Sequence, residues 1–265
     1  MTYEHILYDV MDGVCKITLN RPDSYNALSL ATIQEIIAAF KVCSRDKSVR
    51  AVILTGEGKG FSSGADLMEL GGDLANIDIT ETLRGGLNVI VSQMRTLDKP
   101  IICAVNGVAA GAGASLALAA DYRLASDNAS FVFAAFVNIG LVPDAGNTYL
   151  LQKLVGPAKA FELALFADST HRVNAQNALE LGIVNRIAPH DQLMPETDML
   201  AKKLASMPTK AIAMTKRAVY RASEHAFLDA IDYEAQLQGA AFQTFDFKEG
   251  VSAFIEKREP VFRGE

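Results

Sequence analysis

Two short runs of small residues are the first places in this 265-residue chain where chemistry could be done. Phe61-Ser62-Ser63-Gly64-Ala65-Asp66-Leu67 and Gly111-Ala112-Gly113-Ala114-Ser115 each stand just before a helical pattern. The first N–H groups of a helix have no partner within it, and the helix dipole favours negative charge in front of them. Two such turns brought together could hold one oxyanion between two backbone donors. Small residues equally serve close packing, and spacing alone leaves both readings open.

Other chemistries find less support. Gly111-Ala112-Gly113 is half of a dinucleotide-binding G-x-G-x-x-G, but Leu116 occupies the third glycine position. Gly56-Glu57-Gly58-Lys59-Gly60 lacks the Lys-Ser/Thr ending of a phosphate loop. His5, His171, His190 and His225 lie far apart, without ligand spacing, so no metal site is expected. Cys15, Cys43 and Cys103 are scattered, and neither a disulfide framework nor a zinc site is expected.

Half of the residues (50%) are hydrophobic and 21% are charged, which excludes a disordered chain and allows a large buried core. A net charge of −6 argues against a nucleic-acid or anionic-membrane binder, although a local basic patch for a small polyanion is allowed. No uninterrupted apolar run approaches the ~20 residues that span a bilayer. The start, Met1-Thr2-Tyr3-Glu4-His5, lacks the basic and apolar parts of a signal peptide, and a cytoplasmic setting is expected.

The elements that must position the two turns follow from periodicity. Ile6 to Val10 and Val14 to Leu19 read as two strands around Asp12-Gly13. Ile33, Ile36, Ile37 and Phe40 mark a helix that Ser29 would cap. Ala51 to Gly56 and Pro100 to Val105 are continuous apolar runs typical of buried parallel strands, and Tyr122 to Ala125 is a further strand. Gly71 to Gly86 is either a mobile lid or an ordinary loop. Helices are predicted near Thr148–Leu154, Ala158–Phe166 and Ala175–Leu181, the last ending at Gly182. Beyond Asp191 the pattern is wholly helical: Leu193–Met207, Lys210–Ala222, Ala226–Phe245 and Lys248–Phe254. The expected architecture is α/β, with a core over residues 1–190 and a helical region over 191–265.

Six motifs in register extend this reading across essentially the whole chain. They are Asn20-Arg21-Pro22 with Asn26-Ala27-Leu28, Phe61 to Leu67, Lys99 to Gly113, Gly140 to Thr148, Ala178 to Asn185 and Phe254 to Phe262. In these motifs the chain resembles the enoyl-CoA hydratase/isomerase (crotonase) family. The resemblance implies stacked β-β-α units and a C-terminal helical region that forms trimers, often paired into hexamers. It implies an acyl-CoA thioester as substrate, with coenzyme A entering as part of that substrate and no separate cofactor. Carried over by motif, the N–H groups of Ala65 and Ala112 would bind the thioester oxygen, with Gly113 beside the latter. Ser24, Tyr25, Ala27, Ser63, Asp66 and Leu67 fall in the parts that hold the CoA. Lys257 and Arg258 are candidates for its phosphates, or else an exposed charged helix end.

The resemblance also narrows the reaction. Hydratases of this family use two glutamates, and the corresponding positions here are Ser115 and the neighbourhood of Phe136, neither of which titrates usefully near neutral pH. Ser115 could orient a water. A double-bond shift needs a single base. Asp144, within the apolar loop Leu141-Val142-Pro143-Asp144-Ala145-Gly146, is the candidate, because desolvation would raise its pKa. Its competing role is an N-cap for the next helix. An aspartate after Gly-Leu-Val-Pro is similar to the branch typified by 1,2-epoxyphenylacetyl-CoA isomerases, although Asn147 stands where relatives usually carry a second glycine. Phe131, Phe133, Phe136 and Val137 are expected to be divided between core and acyl wall. The expected activity is thus enoyl-CoA isomerisation. The alternatives are hydration of a 2-enoyl-CoA and a catalytically silent acyl-CoA-binding homologue.

Overall fold

The computed structural model describes residues 2–70 and 77–265. The chain opens with β1 (Ile6–Met11) and β2 (Val14–Leu19), then α1 (Leu30–Arg45) and β3 (Ala51–Gly56). β4 (Gly60–Ser62), α2 (Leu67–Leu70), α3 (Ile79–Gly85) and α4 (Leu87–Thr96) lead to β5 (Ile101–Val105). There follow β6 (Val108–Ala110), α5 (Ala112–Ala119), β7 (Tyr122–Ser126), β8 (Ser130–Val132), α6 (Asn147–Val155) and α7 (Pro157–Phe166). β9 (Val173–Asn174), α8 (Ala175–Glu180) and β10 (Arg186–Ala188) precede α9 (Leu193–Ser206), α10 (Thr209–Ala222), α11 (Phe227–Phe242) and α12 (Phe245–Glu256).

Two sheets result. The larger has the order β1-β2-β3-β5-β7-β10, parallel from β2 onward, and the smaller has the order β4-β6-β8-β9. Each of β3, β5 and β7 gives its continuation to the smaller sheet as β4, β6 and β8, so the chain builds in repeated β-β-α steps. The steps lock to one another at their turns. The side-chain amide of Asn106 donates to the carbonyls of Gly58 (2.9 Å) and Gly60 (3.2 Å) and accepts from the Gly56 N–H. Gly107 lies so close to the previous turn that a Cβ would sit 2.1 Å from the Lys59 carbonyl oxygen.

Alternation along the strands divides the core in two. Cys15, Ile17, Val52, Leu54, Cys103 and Val105 face Ile36 and Phe40 of α1, Met94 of α4 and Leu116 of α5. The intervening residues, among them Ala51, Ile53, Ile102 and Leu124, face Leu193, Ala201 and Ala205 of α9. Both faces of the sheet are covered, which is why its central strands read as unbroken apolar runs. Each large aliphatic side chain buried there contributes ~1.5–3 kcal/mol. Ser29 caps α1 by accepting the Thr32 N–H, as its sequence position predicts.

Some elements depart from the sequence reading. β4, β6, β8 and β9 are only two or three residues long and carry no resolvable period. The helix predicted to run through to Phe245 stops at Phe242, because Thr244 accepts the Phe247 N–H and starts a new helix. Of the proposed lid, residues 71–76 lie outside the described residues. Ile79–Gly85 is helix, capped by Asp78.

The first helix to leave the sheet, α10, is anchored by a buried charge. Lys216 donates to Asp121 Oδ2 (2.9 Å) and to the Met94 carbonyl (2.8 Å), while Asp121 also accepts from Tyr220 and from the Ile101 N–H. Lys216→Ala would strand the aspartate without its cation, a change that typically costs ~3–5 kcal/mol. The expected result is a large drop in the urea midpoint with an unchanged m-value.

Candidate active site

The two small-residue turns meet. Leu28 and Ala65 form an isolated parallel bridge in which the Leu28 N–H donates to Gly64 O (2.8 Å) and the Asp66 N–H donates to Leu28 O (3.1 Å). Successive N–H groups alternate in direction along an extended chain, so the Ala65 N–H faces the other way. There it meets the start of α5. Gly64, at φ +93°, lies against that start so closely that a Cβ would be 2.8 Å from Ala110 O and 3.3 Å from Ala112 N. Ala112 is the first residue of α5, and the cap position, Gly111, offers no side-chain acceptor. Two backbone donors without an acceptor among the described residues therefore meet at one cavity of about 300 Å³.

Among the described residues, three carboxylates line that cavity. Asp66 is bound by Arg21 at 2.8 Å, which holds its carboxyl below the usual range. Glu69 accepts the Leu30 N–H. Asp144 is different. Its Oδ1 is buried with no hydrogen-bond partner among the described residues, and burial pushes its pKa up to about 6. It caps nothing: α6 begins at Asn147 with Gly146 in the cap position and no side-chain cap bond, so the N-cap reading is overturned. What Asp144 offers the helix is its backbone carbonyl, which accepts the Asn147 N–H at 2.9 Å. Apart from Ser63 and Thr82, the remaining side chains of the lining are apolar, including Ile33, Leu83, Leu87, Phe136 and Leu141.

This arrangement pairs two backbone donors with an ionisable, partly desolvated carboxylate across a greasy cavity. That suits a thioester oxygen gaining charge while a neighbouring carbon exchanges a proton. The family described as enoyl-CoA hydratase/isomerase matches residues 9–265.

The chain belongs to the enoyl-CoA hydratase/isomerase family.

It is 38% identical over 263 residues to the 1,2-epoxyphenylacetyl-CoA isomerase of Escherichia coli, covering 98% of this chain and 99% of that one. It is 36% identical to the trans-2-decenoyl-(acyl-carrier-protein) isomerase of Streptococcus mutans, covering 100% of both. The crystal structure of an enoyl-CoA hydratase from Bacillus anthracis superposes with a TM-score of 0.92 at 32% identity, covering 99% of this chain and 100% of that one. The β-β-α repeat with its helical C-terminal region is thus the crotonase fold.

Within this family member the residues named from sequence fall in different places. Ser63, Asp66 and Leu67 line the cavity together with Ala65, Ala112 and Asp144. Ser24, Tyr25 and Ala27 lie outside its lining. The Ser24 hydroxyl donates to Arg21 O, the Ala27 carbonyl accepts from Arg21, and Tyr25 is exposed at a positive φ of 52°. Gly113 is a packing glycine: a Cβ there would lie 2.5 Å from Ser62 O. Ser115 is fully buried, and its hydroxyl reaches the carbonyls of Gly111 (3.3 Å) and Asp144 (3.1 Å), so it is not placed to orient a water in the cavity. Phe131 and Phe133 stack in the core, Phe136 faces the cavity, and Val137 is exposed. Arg258 is bound by Glu249 (2.6 Å) and Glu256 (2.6 Å), so the charged-helix-end reading fits it better than phosphate binding.

Sequence reasoning assigned no role to three residues that hold the site. Arg21 ties the loop before α1 to Asp66. Asn26, at φ +56°, donates to Glu57 O (2.9 Å) and Gly60 O (2.8 Å). Ser62 donates to Asn26 O (2.8 Å) and accepts the Gly64 N–H (3.2 Å). The run Gly60-Phe61-Ser62-Ser63-Gly64 has the G-x-S-x-G spacing of a nucleophile elbow, but Ser62 is fully buried and donates to backbone, so it is not an exposed nucleophile. Asn26 within an Arg-Pro loop was the available signal, since asparagine tolerates left-handed backbone.

Gly64→Ala should push the Ala65 strand away from α5. The expected outcome is a folded protein whose kcat on an enoyl-CoA falls ~10²-fold, the scale for losing one such donor. Steady-state kinetics beside circular dichroism would check it.

Proposed function

We propose that this protein is an enoyl-CoA isomerase that moves a double bond by proton transfer through a thioester enolate. The observation that carries this reading is Asp144, whose Oδ1 is buried without a hydrogen-bond partner among the described residues, in the same cavity as Ala65 and Ala112. Asp144 takes a proton from one carbon of a 3-enoyl thioester. The electron pair shifts toward the thioester oxygen, where the two N–H groups hold the developing charge. The protonated Asp144 then returns the proton to the other end of the allylic system. A base titrating near neutral pH suits both halves of this exchange.

Hydration asks for more. It needs a group that activates water besides one that manages the α-carbon proton. The Ser115 hydroxyl is engaged with backbone carbonyls, and Phe136 offers a hydrocarbon ring. The apolar lining supports an alkyl or aryl acyl group, with coenzyme A entering as part of the substrate and no resident cofactor required. Large apolar side chains left exposed on α11 and α12, Phe227, Leu228, Phe254 and Ile255, support assembly of three copies through the C-terminal helices. The reading is of a cytoplasmic enzyme.

Asp144→Asn decides the base. Conversion of 3-enoyl-CoA to 2-enoyl-CoA should fall at least ~10²-fold, the general acid–base contribution; survival within tenfold would refute the assignment. Because the carboxylate is the working form, kcat/KM should be full above its pKa and fall away as pH drops through about 6. Formation of 3-hydroxyacyl-CoA from crotonyl-CoA at a comparable rate would favour the hydratase instead. Sedimentation equilibrium should return three chains per particle or a multiple of three; a monomer would refute the assembly.

A further inference from the structure

Asp144 can serve as a base only if its carboxylate keeps a fixed distance from the two donors, yet its loop is poorly suited to rigidity. Ala145 (φ +49°) and Gly146 (φ +76°) follow it in left-handed backbone, a conformation that a non-glycine residue holds only under outside constraint. The constraint comes from two buried polar residues. Ser115 Oγ lies 3.1 Å from the Asp144 carbonyl oxygen, and Asn147 Nδ2 donates to Ser115 Oγ at 3.2 Å. The Asn147 backbone N–H completes the bracket on the same carbonyl at 2.9 Å.

Neither side chain belongs to the cavity wall, and both are almost wholly buried. Asn147 even leaves its Oδ1 without a hydrogen-bond partner among the described residues, an arrangement an apolar residue would avoid. Ser115 also stands on α5, three residues after Ala112, less than one helical turn away. One rigid turn therefore carries an oxyanion donor at its start and the peptide clamp of the base at its other end.

We propose that Ser115 and Asn147 are positioning residues that fix Asp144 relative to the Ala65 and Ala112 donors. This rests on the reading of Asp144 as the base. Ser115→Ala removes a single oxygen, and Asn147→Ala removes the amide that holds it. Each should lower kcat for 3-enoyl-CoA isomerisation about tenfold or more while KM stays within about twofold, since substrate contacts are untouched. The double variant should lose little beyond the worse single one, because the two act as one bracket.

Kinetics of the four proteins, parent included, beside Asp144→Asn separate the possibilities. If Asp144→Asn abolishes conversion while Ser115→Ala and Asn147→Ala keep kcat within twofold, the bracket is wrong and the base stands. If kcat and KM worsen together, or the two losses multiply, the residues act through general packing and the proposal is overturned. If conversion survives Asp144→Asn, the base and its bracket fall together. Should Asn147→Ala fail to fold, the kcat and KM of Ser115→Ala alone decide.

Discussion

Two peptide N–H groups can serve one oxygen only if the chains that carry them run in contact, and here glycine makes the contact. Gly64 brings the extended chain at Ala65 against the start of α5, where any Cβ would strike the Ala110 carbonyl. The neighbouring fold can be understood as support for that approach. Leu28 holds one side of the Ala65 chain, and Arg21 clamps Asp66 just beyond it. Gly113 lets α5 settle on Ser62 from behind. Dipoles fixed in this way would need no reorganisation if charge appeared before them.

The charges around this point are sorted by partner. Asp66 has a guanidinium and stays ionised well below neutrality, which makes it structural. Asp144 has none, and its burial makes ionisation costly. A carboxylate kept in that state weakens the folded protein above its pKa, since the unfolded chain would solvate it fully. The fold offsets such losses in its apolar core. On the proposed function, fold stability and proton transfer pull in opposite directions at Asp144, as they commonly do at functional sites.

Much of this was legible from residue order. Long buried strands declare themselves by unbroken apolar runs, and Ser29 declares the start of α1. The short strands β4, β6, β8 and β9 do not, because two or three residues are fewer than a period needs. The break between α11 and α12 at Thr244 was marked by a capping residue, but helical periodicity on both sides masked it. The sequence favoured Asp144 as a base but left a cap open. The difference lay in where α6 begins, a matter of three residues, which is within the usual uncertainty of a helix boundary.

By itself the sequence determined the α/β class, the long elements, the family and the residue types able to do the chemistry. Tertiary structure decided which of them face one another. It joined Ala65 to Ala112 across about fifty residues of chain, turned Asp144 into the cavity without a partner, and withdrew Ser115 and Gly113 behind the wall. Local periodicity and capping depend on neighbours within a turn or two, so a sequence displays them. Desolvation and hydrogen-bond partnership depend on groups far apart in the chain, and they exist only once it is packed.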